Sequence, residues 1–106
     1  MGDRVNIKME YSEGGPIYFY SHWGGSEIKQ TLAEALARKE RWGDEPYLAR
    51  IIFSTMIQDQ VLTETGFGIA PYECDPENET VVVNCPNQTV DGLGFEDFIN
   101  GNLVPS

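Results

Sequence analysis

The sequence predicts an α+β fold: an antiparallel sheet of about four strands, formed as two hairpins, packed against two consecutive helices and closed by a short C-terminal helix. Three observations point to it. Apolar residues alternate with polar ones near the N-terminus, two neighbouring segments carry apolar residues at three- and four-residue steps, and a β-branched run, Thr80-Val81-Val82-Val83, follows a turn-rich stretch.

Val5, Ile7 and Met9 give the first strand, Ser12-Glu13-Gly14-Gly15-Pro16 breaks it, and Ile17-Tyr18-Phe19-Tyr20 resumes it as a β-hairpin. Gly24-Gly25 then forms a turn and Ser26 stands where a helix N-cap belongs, with Glu27 in the first turn to complement the helix dipole. The first helix is expected over residues 27–42, its apolar stripe made by Ile28, Leu32, Ala35 and Leu36. Gly43 is suited to end it and Asp44 to cap a second helix over 45–58, where Pro46 is tolerated in the first turn. Leu48, Ile51, Ile52 and Met56 form one stripe of this helix. Tyr47, Phe53 and Ile57 carry apolar surface around most of its circumference, which predicts a central position.

Gly66 and Gly68 allow a bend before Ile69 to Tyr72, and Asp75-Pro76-Glu77-Asn78 reads as the turn of a second hairpin whose other strand is the β-branched run. Pro86 interrupts that strand, Thr89-Val90 resumes it, and Phe95 to Ile99 forms a short amphipathic helix. Residues 1–100 form one domain, and 101–106 a frayed tail.

Charge is distributed unevenly. All seven Lys and Arg residues lie at or before Arg50, whereas residues 51–106 hold nine of the seventeen carboxylates, and the net charge is −10. Duplex DNA and RNA are disfavoured as direct partners, because their affinity rests on neutralising phosphates with basic side chains. The complementary arrangement is allowed: a face of carboxylates can occupy a basic groove on another protein. Glu73, Asp75, Glu77 and Glu79 recur at every second residue and are the candidate partner-binding set. Their bland reading is a charged hairpin tip that discourages edge pairing. An EF-type calcium loop is excluded there, since Pro76 and the absence of an internal glycine break its template.

No stretch approaches the length of an apolar membrane span, and MGDRVNIKMEY lacks the apolar run of a secretory signal, which predicts a cytoplasmic protein. Hairpin geometry would separate Cys74 from Cys85 by roughly 20 Å at about 3.3 Å per residue, against a limit of about 7 Å for bridged α-carbons. Two free thiols in a reducing compartment are therefore expected, and the glycosylation patterns at Asn78 and Asn87 are accidental.

His22, Trp23, Gly24, Gly25 and Ser26 form the densest candidate ligand site, combining the only histidine, one of two tryptophans, a glycine pair and a helix start. Backbone N–H groups at such an end favour an anion, and Trp23 offers a face for a nucleotide base. Against this, Glu27 places a carboxylate in the same turn and no Lys or Arg lies in residues 17–28, ahead of Lys29, so a strand-to-helix turn with a structural Trp23 is the competing account. Catalysis would require His22 with Ser21, Cys74 or Cys85, and no nucleophile elbow or cysteine-enzyme signature is present. There is no CxxC or HxxxH spacing; Gly66-Phe67-Gly68 and Gly92-Leu93-Gly94 fall short of a nucleotide loop, and no cofactor is predicted.

IYFYSHWGG at 17–25, TLAEALARKERWGDEPYLARIIFSTMI at 31–57 and TGFGIAPYE at 65–73 resemble a family of small uncharacterised accessory proteins of tailed bacteriophages and prophages. The resemblance implies a setting, the cytoplasm of a bacterial host, and a stoichiometric action on host machinery, including defence systems; it assigns no residue a role. The leading expectation is a non-enzymatic protein that binds a basic host protein through its acidic C-terminal half. Alternatives are a binder or sponge of a signalling nucleotide, with a second subunit completing its pocket, and a small nucleotide-acting enzyme.

Overall fold

The computed structural model describes residues 4–21, 27–58, 66–73 and 79–102. Within them the order is β1 (Val5–Glu10), β2 (Ile17–Ser21), α1 (Ile28–Ala37), α2 (Glu45–Met56), β3 (Phe67–Ala70), β4 (Glu79–Asn84), β5 (Thr89–Val90), β6 (Leu93–Gly94) and α3 (Phe95–Asn102). The α+β class holds, but the sheet is mixed and has six strands in the order β3-β2-β1-β4-β5-β6.

The first hairpin forms as the alternation predicts, with β1 and β2 antiparallel and Ile7 opposite Phe19. The second expected hairpin does not form. β4 pairs in parallel with β1, Val5 opposite Glu79 and Met9 opposite Val83, while β3 pairs antiparallel with β2 at the edge of the sheet. Burial explains the choice. Val81 and Val83 are wholly buried beside Ile7 and Met9, a position available only to an interior strand flanked on both sides. Turn residues at 75–78 signal that the chain leaves a strand, and they do not specify which strand it next meets.

β4 is followed by a reversal at Cys85–Gln88, so Thr89-Val90 runs back antiparallel against β4 as β5 rather than extending it. Asp91 and Gly92, both at positive φ (50° and 86°), then close a two-residue hairpin between β5 and β6. This dihedral pattern suits the right-handed twist of paired strands and favours an Asp-Gly sequence.

One face of the sheet carries Val5, Ile7, Met9, Phe19, Val81, Val83 and Val90 into a core shared with all three helices. α1 contributes Ile28, Leu32, Ala33, Ala35 and Leu36, containing the whole predicted stripe. It packs between α2 and α3 and is the middle helix; α2, expected to be central, lies on the flank. Small Ala33 and Ala35 let α1 approach its neighbours closely, whereas only Leu48, Ala49 and Ile52 of α2 are buried. α3 seals the β5–β6 end with Phe95, Phe98 and Ile99.

α1 also ends earlier than its sequence periodicity suggests. The Trp42 indole N–H donates to the Leu36 carbonyl at 3.1 Å, and the backbone N–H of Lys39 donates to the same oxygen at 2.9 Å. Lys39 and Arg41 take left-handed conformations (φ 54° and 59°), turning the chain well before Gly43. Trp42 thereby adds a second donor to a carbonyl at the end of α1 and packs edge-on against Phe95, with ring centroids 5.2 Å apart. At the other end Glu27 occupies the N-cap position rather than the first turn, and makes no side-chain cap bond. Asp44 holds the corresponding position of α2, likewise without a side-chain cap bond; its carboxylate lies 3.8 Å from Arg41.

Candidate functional site

Of the residues singled out in the sequence, His22, Trp23, Gly24, Gly25 and Ser26 lie outside the described residues, as do Asp75 and Glu77. Glu73 and Glu79 are described. The Glu73 carboxylate accepts a hydrogen bond from the Thr80 hydroxyl. Thr80 pairs with Asn6, so it belongs to the face turned away from the helices. Glu79 follows the parity of Val81, and its exposed side chain starts on the helix side. The Cys85 thiol is free and buried. Cys74 lies outside the described residues, and the hairpin that set its distance from Cys85 is replaced by the parallel arrangement.

The feature that stands out lies elsewhere. A groove of about 670 Å³ opens between α2 and the β2–β3 edge of the sheet. Its floor is Ile17 and Phe19 of β2 with Ile69 of β3, and its wall is Pro46, Ala49 and Phe53 of α2. The geometry follows from local sequence. Ile17, Phe19 and Ile69 share the helix-facing parity, since Phe19 pairs with Ile69 across the two strands. Phe53 falls one turn beyond Ala49 on the same side of α2, and its ring meets Phe19 at 5.1 Å between centroids, tilted by 51°.

α2 thus spends its surplus of apolar residues in different ways. Leu48 and Ile52 enter the core, Phe53 lines the groove, and Tyr47 stands outside, its ring 5.0 Å beneath the Arg41 guanidinium. The surplus was the one sign of the groove in the sequence.

One end of the groove is fixed by a charge-assisted clamp. Glu45, in the first turn of α2, accepts from the Ser12 backbone N–H at 3.0 and 3.2 Å and from the Ser12 hydroxyl at 3.1 Å. This joins the β1–β2 turn to the helix and spends the Glu45 oxygens on the protein itself. Arg50, at the rim, is exposed and forms no ion pair among the described residues. Burial, then the charges of Cys85 and Glu45, push the Tyr11 phenol up. Burial, followed by Glu45, pushes the Cys85 thiol from 9.0 to about 11. Neither group is activated as a nucleophile near neutral pH, because each holds its proton more firmly than usual.

A smaller concavity on the opposite face, about 320 Å³, includes Lys8, Glu10 and Asn84. Its polar groups are already engaged with each other, Lys8 with Glu10 at 3.3 Å and the Asn84 amide donating to Glu10 at 3.1 Å. No group of three or more potential metal-ligating side chains occurs among the described residues. No helix among them is long and apolar enough to cross a membrane. Compared with protein-family models, curated proteins and solved structures, the chain matches none.

Proposed function

We propose that the chain is a non-enzymatic binding protein that holds a basic partner protein by seating an apolar segment of it in the groove between α2 and the sheet edge. The carrying observation is the groove itself: a concave surface with apolar side chains from three elements, Ile69 exposed and Ile17 and Phe53 half-buried, on an otherwise strongly acidic molecule. Apolar anchoring supplies affinity, and the −10 charge accelerates encounter with a positive surface. Glu73, Asp75, Glu77 and Glu79 belong to that steering field in this reading, with the groove as the anchor. The phage setting and an anti-defence role remain a proposal based on the sequence resemblance alone.

Capture from a bacterial lysate at low salt tests this. The wild-type chain recovers a basic protein that salt releases, and Ile69→Lys, altering a residue already 59% exposed, loses it. Equal recovery by the variant overturns the assignment to the groove, and an acidic or salt-insensitive partner overturns the electrostatic part.

A second reading is favoured by size, since about 670 Å³ falls in the range of small-molecule pockets, about 300–1,000 Å³. An intact molecule released on heating, with no protein partner, would replace the first reading. One exposed arginine beside Glu45 suits an amphiphilic carboxylate better than a polyphosphate, which argues against a signalling nucleotide here. A nucleotide-acting enzyme would show turnover lost in His22→Ala.

A further inference from the structure

We propose that the segment seated in the groove is the C-terminal end of the partner chain, its terminal carboxylate held by Arg50 and a neighbouring basic side chain drawn to Glu13. This rests on the binding function proposed above and specifies which part of the partner is recognised.

Arg50 stands apart from the other cations of the fold. Lys8, Arg38, Lys39 and Arg41 each hold a carboxylate, at 2.8–3.8 Å, whereas Arg50 is exposed and forms no ion pair among the described residues. The reason lies in α2 itself. The positions three and four residues away, where a helix supplies a surface partner, hold Pro46, Tyr47, Phe53 and Ser54, none of them acidic. Glu45, the carboxylate on the same wall, is bound to the Ser12 backbone N–H and hydroxyl. The groove therefore has an uncommitted guanidinium at its rim, and no other basic side chain lines it among the described residues.

A guanidinium presents a planar fork of N–H donors that matches a carboxylate bidentately, and the attraction grows where apolar neighbours thin the surrounding water. Ile17, Phe19, Ala49 and Phe53 supply such neighbours. The chemistry that fits is thus a carboxylate attached to an apolar group.

Shape and charge identify it as a chain end. The Ser12–Glu45 clamp ties the β1–β2 turn to α2 at one end of the groove, so a segment running through would have to leave across that bridge, whereas a terminus stops short of it. An N-terminal ammonium group would meet Arg50 with repulsion, and a C-terminal carboxylate is attracted. Glu13, exposed in the same turn and without an ion pair among the described residues, opposes a bare anion and attracts Lys or Arg. Together they select a basic, apolar C-terminus over a simple apolar acid.

The test is a calorimetric titration of the full chain with N-acetylated Lys-Ile-Lys-Val-Lys-Ile-Lys as the free acid and as the carboxamide. The free acid is expected to bind about tenfold more tightly, although the carboxamide carries one more net positive charge toward a −10 protein. In Arg50→Gln the preference disappears while the carboxamide binds as it does to wild type, and an unchanged thermal melt shows that the fold is intact. Glu13→Gln weakens both forms alike.

Equal binding of acid and carboxamide, lost in Ile69→Lys, overturns the terminal carboxylate while sparing the groove reading. A preference for the acid that survives Arg50→Gln overturns the role of Arg50, and Glu13→Gln that tightens both forms overturns the basic contact. If the carboxamide Lys-Ile-Lys-Val-Glu-Ile-Lys matches the free acid, the carboxylate comes from a side chain and the chain-end assignment falls. No binding of any peptide overturns the proposal, and the lysate capture then decides the binding reading independently.

Discussion

Cys85 illustrates how much of a residue's behaviour comes from its surroundings. In the sequence it is one of two thiols; in the fold its backbone N–H donates to the Glu10 carbonyl at 2.9 Å and its side chain is buried close to Glu45. With its pKa raised from 9.0 to about 11, the folded state keeps a proton that the unfolded chain releases. This contribution to stability is full below pH 9 and is lost as pH rises through about 11. Tyr11, also raised, acts in the same direction above its ordinary 10.0. Denaturant melts across this range should therefore show stability falling with pH, and Cys85→Ala should flatten the lower part of the fall. An unchanged slope in the variant would show that the thiol contributes nothing. Glu45→Gln should cost about 1 kcal/mol through the weakened Ser12 clamp and lower the Cys85 pKa, measured by the pH dependence of thiol alkylation.

Elements defined by local pattern were legible, and those defined by distant partners were not. Val5, Ile7 and Met9 alternate and meet Ile17 and Phe19 across a short turn, so the first hairpin can be read directly. The stripe of α1 is equally plain, but its C-terminus is not, because the group that stops it is a tryptophan indole reaching back to Leu36. Trp42→Phe removes that bond while keeping most of the packing against Phe95, and should destabilise the fold by about 1 kcal/mol in urea unfolding. β4 exposes the limit of local reading. Its apolar run fits a hairpin with β3 or an interior position beside β1, and only the global fit of Val81 and Val83 against Ile7 and Met9 selects the latter. Asp91-Gly92 was a readable hairpin signal, because an Asp-Gly pair favours the left-handed dihedrals that the two-residue turn between β5 and β6 requires. The groove was legible only as an excess of apolar residues on α2, since Ile69 joins it through strand pairing.

The molecule as a whole combines two properties that a charge count alone cannot connect. Its Cα radius of gyration, 12.8 Å, matches the roughly 13 Å expected for a compact chain of this length, so the acidic surface surrounds an ordinary core. The helices cover one face of the sheet, and the apolar lining left uncovered lies along the α2–β3 flank. In the proposed binding mode, long-range charge selects the partners that approach and short-range apolar contact those that remain. Added salt should slow association far more than it speeds dissociation, because screening acts on the approach and leaves the groove contacts intact.

The most direct measurement is a calorimetric titration of Lys-Ile-Lys-Val-Lys-Ile-Lys and its glutamate counterpart, Glu-Ile-Glu-Val-Glu-Ile-Glu, into wild type and Ile69→Lys at low and high salt. The account predicts saturable one-to-one binding of the lysine peptide to wild type, weakened by salt and lost in the variant, with none for the glutamate peptide. Equal binding of both peptides, or binding untouched by Ile69→Lys, would contradict it.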